Sequence, residues 1–443
     1  MVNNINDHNY HSHELNGVRD YERLRKYLKK LLEKSYNNKE LRADEARALA
    51  ILSTGLETLL IEAEKGEVNT FFFIETLEKI LTDNGWYSTP SGNADPSEYK
   101  GYSKLKTGEG KVIYLGEIIG IGGEGTIYKV PSMPGTVAKI YHAPADLHQK
   151  EKHVKALLHN QIPSKIDHVL IAPIPEQLLY NEYEQFSGYL MAQVTSQIKI
   201  YDVQRSTYSR SRLFPEMDYR WLIAIAYNLA EAVDNLHKYD VIIGDMNPNN
   251  IVVNHDGTVC LLDADSFDII DKTTGEHFPC VVGLPELLAP ELQAAKNLKK
   301  AEFTKETDYF SLAIHIFRLL MNNADPFAAI GPDKAVSQEE ISYNQTLING
   351  ECPYVRDIPG KEIPGWVPPL SMLPDDIREL FNRVFNYTAA NYIDNINRRP
   401  SAREWMDALI KFYNMPMQQC KKDPFHWYRQ ELKECPFCSG KTQ

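Results

Sequence analysis

The order of elements along this chain predicts an α+β protein in two lobes, β-rich first and helical second. Three observations carry that prediction. Between Val112 and Val194 the sequence runs in short β-rich segments, "KVIYLGEII", "GTIYKV", "TVAKIY", "EQLLYN" and "GYLMAQV", with one helical stretch around Gln149 to His159. Beyond about Met217 the pattern becomes mostly helical, and strands followed by helices imply segregated layers. Ahead of both, Tyr87 to Lys111 strings Ser, Pro, Gly and Asn together without apolar periodicity, which marks residues 87–111 as a linker.

The segment before the linker is read as an N-terminal helical extension, residues 1–86. In "VRDYERLRKYLKKLLEKS", Val18, Tyr21, Leu24, Leu28, Leu31 and Leu32 fall at helical spacing, with Lys and Arg on the other side. Two further helical patterns end at Gly66 and at Asn84-Gly85. Three such helices can form a small bundle, either a packing module or a partner-binding one. His8, His11 and His13 lie in the polar start and are left unassigned.

Composition narrows the class. Apolar residues make up 43% of the 443 and charged residues 24%, as in an ordinary globular protein. With 48 Lys+Arg against 60 Asp+Glu the formal charge is -12, so the molecule as a whole repels nucleic acid and anionic lipid. No apolar stretch approaches the roughly 18 residues a membrane helix needs, and the polar start is unlike a signal peptide. A cytoplasmic location is expected. Three of the six cysteines gather near the C-terminus, which suits a reduced compartment with a metal knuckle better than a disulfide scaffold. Cys260, Cys280 and Cys352 are read as packing or loop residues.

The chemistry sits in spaced motifs. In "GIGGEGTIYKV", Gly120, Gly122 and Gly125 spell G-x-G-x-x-G. Because "TIYKV" reads as another strand, the loop is a hairpin lid over phosphates rather than a helix cap. Lys139 lies inside the apolar strand "TVAKIY", where an ammonium is costly without an anionic partner. The expected partner is Glu151 in "HQKEKHVKALLHN". Further on, "GDMNPNN" (Gly244 to Asn250) separates the apolar runs "VII" and "IVV", and Asp263 follows the strand "VCLL". Asp245 is expected to accept a substrate hydroxyl proton, and Asn250 and Asp263 to hold Mg²⁺ on nucleotide phosphates.

In the order in which these landmarks occur, the chain from about Val112 to Tyr413 resembles the eukaryotic-like protein kinases. The "APE" at Ala289 to Glu291, Asp308 in "TDYFSLAIHIFRLL" and Arg399 in "NRRPS" extend the likeness. Asp308 is similar to the aspartate that ties down the family's catalytic loop, and Arg399 to the late arginine that pairs with Glu291. The resemblance implies a bilobal protein-kinase-like fold over residues 112–415, with an N-lobe at 112–194 and a C-lobe at 195–415. It implies an ATP- and Mg²⁺-dependent protein serine/threonine kinase, with Ile127, Met191, Gln193 and Val194 joining the three glycines and Lys139 in the nucleotide site. "DADSF", "GDMNPNN" and "FPCVVGLPELLAPEL" look most like a bacterial group often fused to helix-hairpin-helix DNA-binding segments. That group implies a protein substrate and, as partners, a metal-dependent protein phosphatase and an A-domain protein.

The departures shape the expectations. Asp263-Ala264-Asp265 replaces D-F-G, so Phe267 is expected to take over the aromatic packing and Asp265 is a rival metal ligand. Gly244 replaces the arginine of H-R-D, so phosphorylation of Thr273 or Thr274 is expected to be dispensable. Asn247 replaces a lysine near the γ-phosphate, which removes one positive charge from the transition-state cradle. A nucleotide-binding scaffold without transfer stays open as the alternative, and a small-molecule kinase of the antibiotic-phosphorylating type ranks below it. In the tail, residues 416–443, Cys420, His426, Cys435 and Cys438 are either a closed tetrahedral zinc site or four unconnected residues. Ser88, Thr89, Ser91 and Ser97 in the linker are expected sites of self-modification.

Overall fold

The computed structural model describes residues 104–142, 146–205, 207–295, 297–328 and 343–439. The expected helical extension and the linker serines and threonine lie outside them.

The first lobe contains strands β1 (Lys104–Thr107), β2 (Val112–Tyr114), β3 (Ile118–Ile121), β4 (Gly125–Lys129) and β5 (Thr136–Tyr141). Helix α1 (Leu147–His159) follows, then β6 (Lys165–Ile166), β7 (Val169–Leu170), β8 (Gln177–Tyr180) and β9 (Phe186–Ala192). Seven of these strands form one antiparallel sheet in the order β2-β1-β8-β9-β5-β4-β3. Strand β1 corrects the linker assignment. Its four residues "KLKT" bury Leu105 and Thr107 but not Lys104 and Lys106, an alternation too short to stand out among lysines and glycines.

Helix α1 starts where the Asp146 carboxylate accepts the Gln149 N–H, and it buries His153, Val154, Ala156 and Leu157. Strand β5 is central, with Lys139 opposite Ile127 of β4 on one side and Tyr189 of β9 on the other. Gly188 permits that close approach, because any Cβ there would collide with the Lys139 carbonyl.

The second lobe opens with α2 (Ile200–Gln204), α3 (Thr207–Leu213) and α4 (Tyr219–Lys238), followed by β10 (Ile251–Val253), β11 (Val259–Leu261), β12 (Ile269–Ile270) and β13 (His277–Phe278). Then come α5 (Pro290–Ala294), α6 (Lys305–Leu320), α7 (Tyr343–Ile348), α8 (Asp375–Phe385), α9 (Tyr392–Ile396) and α10 (Ala402–Tyr413). Helix α6 begins with a Thr304–Thr307 capping box and is buried on nearly every face, as a central helix must be. Around it Phe310, Phe317, Phe381 and Phe385 pack largely edge to face, with the Phe317 and Phe381 ring centroids 5.1 Å apart at 79°.

The sequence-expected pair of Arg399 and Glu291 forms as a two-pronged contact, Nη1 to Oε1 at 2.6 Å and Nη2 to Oε2 at 2.7 Å. It ties the start of α5 to the turn before α10.

Residues after α10 form β14 (Met417–Gln419), β15 (Trp427–Arg429) and the short α11 (Pro436–Ser439). They belong to the second lobe's core. The Phe437 ring meets Tyr219 at 4.9 Å, the Arg220 guanidinium lies 3.7 Å from the Trp427 ring centroid, and Tyr219 N–H donates to the Phe425 carbonyl. The Arg399 side chain is fully enclosed, so its removal leaves Glu291 without its charge partner. R399A should therefore lower the unfolding free energy by about 3 kcal/mol, measured by urea denaturation against the parent chain.

Candidate active site

Lys139 is 5% exposed, and two carboxylates meet it. Its Nζ donates to Asp265 Oδ1 at 2.7 Å and to Asp263 Oδ1 at 3.0 Å. Asp265 also accepts the Tyr141 hydroxyl on Oδ2 at 2.6 Å and the Tyr189 hydroxyl on Oδ1 at 2.9 Å. Burial works against the charge of Lys139, but Asp265 and Asp263 outweigh it and hold the ammonium well above its ordinary range. Burial likewise opposes ionisation of Asp265, and Lys139 and Lys150 overcome it, so the carboxyl stays well below its ordinary range.

Two expectations need correction here. Glu151 does not reach Lys139. It accepts the Tyr180 hydroxyl at 2.9 Å and pairs with Lys155 at 2.7 Å, because the space beneath Lys139 is filled by Asp265. Nor is Asp265 placed to bind a metal, since it is 2% exposed and both of its oxygens are engaged. Asp263 is the outward carboxylate, its side chain half exposed and its backbone left-handed at φ 57°.

The loop bearing Asp245 is fixed from below. Asp308 of α6 accepts N–H groups from Ile243 at 2.7 Å and Gly244 at 2.9 Å, and lies 2.8 Å from His237 Nε2. The His315 ring meets the Met246 carbonyl at 2.7 Å. Gly244 has a φ of 72°, and a Cβ there would crowd Cys280 Sγ, which explains why a larger residue is absent. The Asn247 side chain accepts the Asn249 N–H and caps the Pro248–Asn250 turn.

The hairpin of β10 and β11 then brings the metal-binding candidates together. Ile251 lies opposite Leu261, and Leu262 N–H donates to the Asn250 carbonyl at 2.7 Å. Asp263 therefore comes one residue after the backbone partner of Asn250, whose amide nitrogen is 3.3 Å from Asp245 Oδ2. Asp245 Oδ1 is buried without a partner. Burial first, and then the charge of Asp263, push the Asp245 carboxyl up to about 6.

The glycine-rich segment is a hairpin, as expected, with Gly122 N–H donating to the Gly125 carbonyl at 2.8 Å. Gly120 is paired with Ile127 across it. A Cβ on Gly125 would stand 2.7 Å from the Ile140 carbonyl oxygen. Met191 lies in β9 opposite Val137, and Gln193 and Val194 follow in the segment that leads to the second lobe. The Gln193 N–H is engaged by the Gly135 carbonyl at 2.8 Å. Ala264 and Phe267 are both buried in the second lobe's core, in keeping with a packing role for Phe267.

The donor set fits magnesium. Asp263 and the Asn250 amide oxygen are hard oxygen groups, the kind Mg²⁺ takes. The tail cluster fits a different metal. Cys420 Sγ is 3.8 Å from Cys438 Sγ, while His426 Nδ1 is 3.8 Å from Cys435 Sγ and 3.5 Å from Cys438 Sγ. With Zn–S of about 2.3 Å and Zn–N of about 2.0–2.1 Å, a tetrahedron has S···S edges of about 3.8 Å and S···N edges of about 3.6 Å. The other imidazole nitrogen, Nε2, lies 3.5 Å from Asp423, the outer carboxylate that metal-bound histidines favour.

A glycine-rich hairpin, a buried strand lysine, and an aspartate loop set beside the β10–β11 hairpin are the landmarks of a two-lobed protein kinase domain. Residues 114–407 match the family described as "Protein kinase domain", and the chain belongs to that family. It is 27% identical over 345 residues to the Escherichia coli strain K12 protein named "Protein kinase YegI", an alignment covering 77% of this chain and 50% of that one. The chain thus spans about half the length of this curated relative. "Protein kinase 2" of Dictyostelium discoideum is 30% identical over 126 residues, 28% of this chain and 23% of its own. Among the described residues no helix is long and apolar enough to cross a membrane.

The left-handed Gly244 supplies a check on the loop. G244A should destabilise the fold by about 1–3 kcal/mol through backbone strain, read from urea unfolding, and should slow phosphoryl transfer more than it weakens nucleotide binding.

Proposed function

We propose that this chain is an ATP- and Mg²⁺-dependent protein serine/threonine kinase. The observation that supports the reading is the β10–β11 hairpin, which starts just after Asn250 and ends two residues before Asp263, with the Asn250 amide nitrogen 3.3 Å from Asp245 Oδ2 and Asp245 Oδ1 buried without a partner. In this reading Gly120, Gly122 and Gly125 cover the nucleotide phosphates, and Lys139 neutralises the α- and β-phosphates. Ile127, Met191, Gln193 and Val194 line the rest of the nucleotide site. Asp245 orients the acceptor hydroxyl and takes its proton as the oxygen attacks the γ-phosphorus in line. Asn250 and Asp263 hold magnesium, which neutralises charge on the phosphates when bound.

Activity without activation-loop phosphorylation is part of the proposal. The segment after Asp263 is anchored by groups it already has. Asp271 accepts the Thr273 N–H at 2.7 Å and lies 3.1 Å from His159 Nδ1. Glu276 meets Lys152 at 3.1 Å, and the Asn160 side chain bonds Ile270 O and Lys272 N, both at 2.8 Å. A cytoplasmic setting, with a metal-dependent phosphatase and an A-domain protein as partners, goes with the same reading.

The second reading is a nucleotide-binding scaffold that does not transfer phosphate. It is favoured by Asn247 and by the contact of Lys139 with Asp263. Incubation with labelled ATP, Mg²⁺ and a mixed protein substrate separates the two. D245A and D263A should each reduce incorporation by about 10²-fold or more, with D245A still binding nucleotide. A parent chain that binds nucleotide but transfers nothing would support the scaffold.

The tail is proposed to hold one structural zinc ion on Cys420, His426, Cys435 and Cys438. Metal analysis should give one zinc per chain, and C435S/C438S should lose the metal and melt at lower temperature. A metal-free preparation with an unchanged melting temperature counts against the site.

A further inference from the structure

The carboxylate that holds Lys139 comes from the wrong place for the ion pair that the sequence suggested. Helix α1 sends Glu151 to Tyr180 and Lys155. What it presents toward the buried site is a cation. Lys150 Nζ lies 3.9 Å from Asp265 Oδ2, 2.5 Å from Glu124 in the glycine-rich hairpin, and 5.4 Å from the Tyr141 ring centroid.

Asp265, by contrast, is received by a complete set of donors. Lys139 and Tyr141 lie two residues apart on β5 and so share a face, and Tyr189 stands opposite Lys139 in the β5–β9 register. All three reach the same carboxylate. A second carboxylate from α1 in this space would face Asp265 as a like charge. Lys150 in that position instead adds an attractive contact, so the helix, both strands and the Asp263–Asp265 turn are chemically consistent with one arrangement.

We propose that Asp265 is the positioning residue for the nucleotide-binding Lys139, taking the part that Glu151 was expected to play, and that Lys150 links this site to the glycine-rich hairpin through Glu124. The lysine is then held by the same turn that carries the metal-binding Asp263, and its placement does not depend on an ion pair with α1. This rests on the kinase reading for its catalytic consequence but not for its structural one.

The test compares D265N, E151Q and the double variant Y141F/Y189F in the full chain, with two readouts. The first is steady-state transfer, resolved into kcat and the KM for ATP. The second is acylation of Lys139 by an ATP acyl-phosphate probe, followed by peptide mass spectrometry, which reads lysine placement whether or not transfer occurs. D265N keeps the shape of the side chain but not its charge. It should lower kcat/KM by about 10²-fold, the penalty of a misplaced reacting group, with a raised KM for ATP and loss of selective Lys139 labelling. Y141F/Y189F, which keeps the charge and the packing, should lie between D265N and the parent. E151Q should stay within about 3-fold of the parent in both readouts, a small fraction of the cost of misplacing a reacting group.

Equal losses in E151Q and D265N would overturn the assignment, as would parent-like labelling and kinetics in D265N. If D265N does not fold, parent-like labelling in Y141F/Y189F would count against the cage, and reduced labelling would support it. A parent chain that labels at Lys139 but transfers no phosphate would refute the kinase reading, while the comparison of labelling among variants would still decide the role of Asp265.

Discussion

The structure depends on keeping one ammonium group charged inside a protein. An isolated lysine moved from water to the interior costs several kcal/mol, and a partner recovers this only with close geometry and satisfied hydrogen bonds. Lys139 meets that requirement through Asp265, and Asp265 in turn meets it through two tyrosine hydroxyls. The constraint reaches across both lobes. It fixes the register of β5 against β9, the glycine at position 188, and the conformation of the turn from Asp263 to Ser266.

A second buried carboxylate performs the matching task below the cleft. Asp308 takes two backbone N–H groups that the tight turn at Gly244 would otherwise leave unbonded, and charge-assisted bonds of this kind are the stronger ones. The aspartate loop is therefore positioned by α6, the most enclosed helix of the lobe, while Asn250 and Asp263 are positioned by a short hairpin. Between these two rigid supports Asp245 retains one oxygen with no internal partner. Burial and the charge of Asp263 raise its proton affinity.

Much of this was legible in the sequence wherever spacing along the chain fixes spacing in space. Asn250 and Asp263 flank one hairpin, so their separation in number brings them to the same end of it; Arg399 was picked out by the family resemblance that "NRRPS" carries, and Asp308 stood out as a charge inside an apolar run. Lys139 was legible for the same reason. Its partner was not. Helical periodicity shows which face of α1 is buried, but not whether a residue from a turn more than a hundred positions away already fills the space in front of it. The clue was present in "DAD" and in the tyrosine two residues after Lys139, but neither has meaning until β9 supplies Tyr189. Strand β1 was hidden by its brevity, and the docking of the tail by the absence of any local pattern that announces a distant contact.

That docking bears on where this folded unit ends. The match to the kinase family stops at residue 407, inside α10 and before the hairpin that covers Tyr219. Tyr219 and Phe412 face each other at the first turn of α4, and Phe437 closes over them. A fragment trimmed to the conventional boundary would uncover an aromatic wound at the base of the lobe's longest helix and invite self-association. Residues 414–439 thus plug the underside of the lobe, and the packed unit extends past the boundary that family likeness draws.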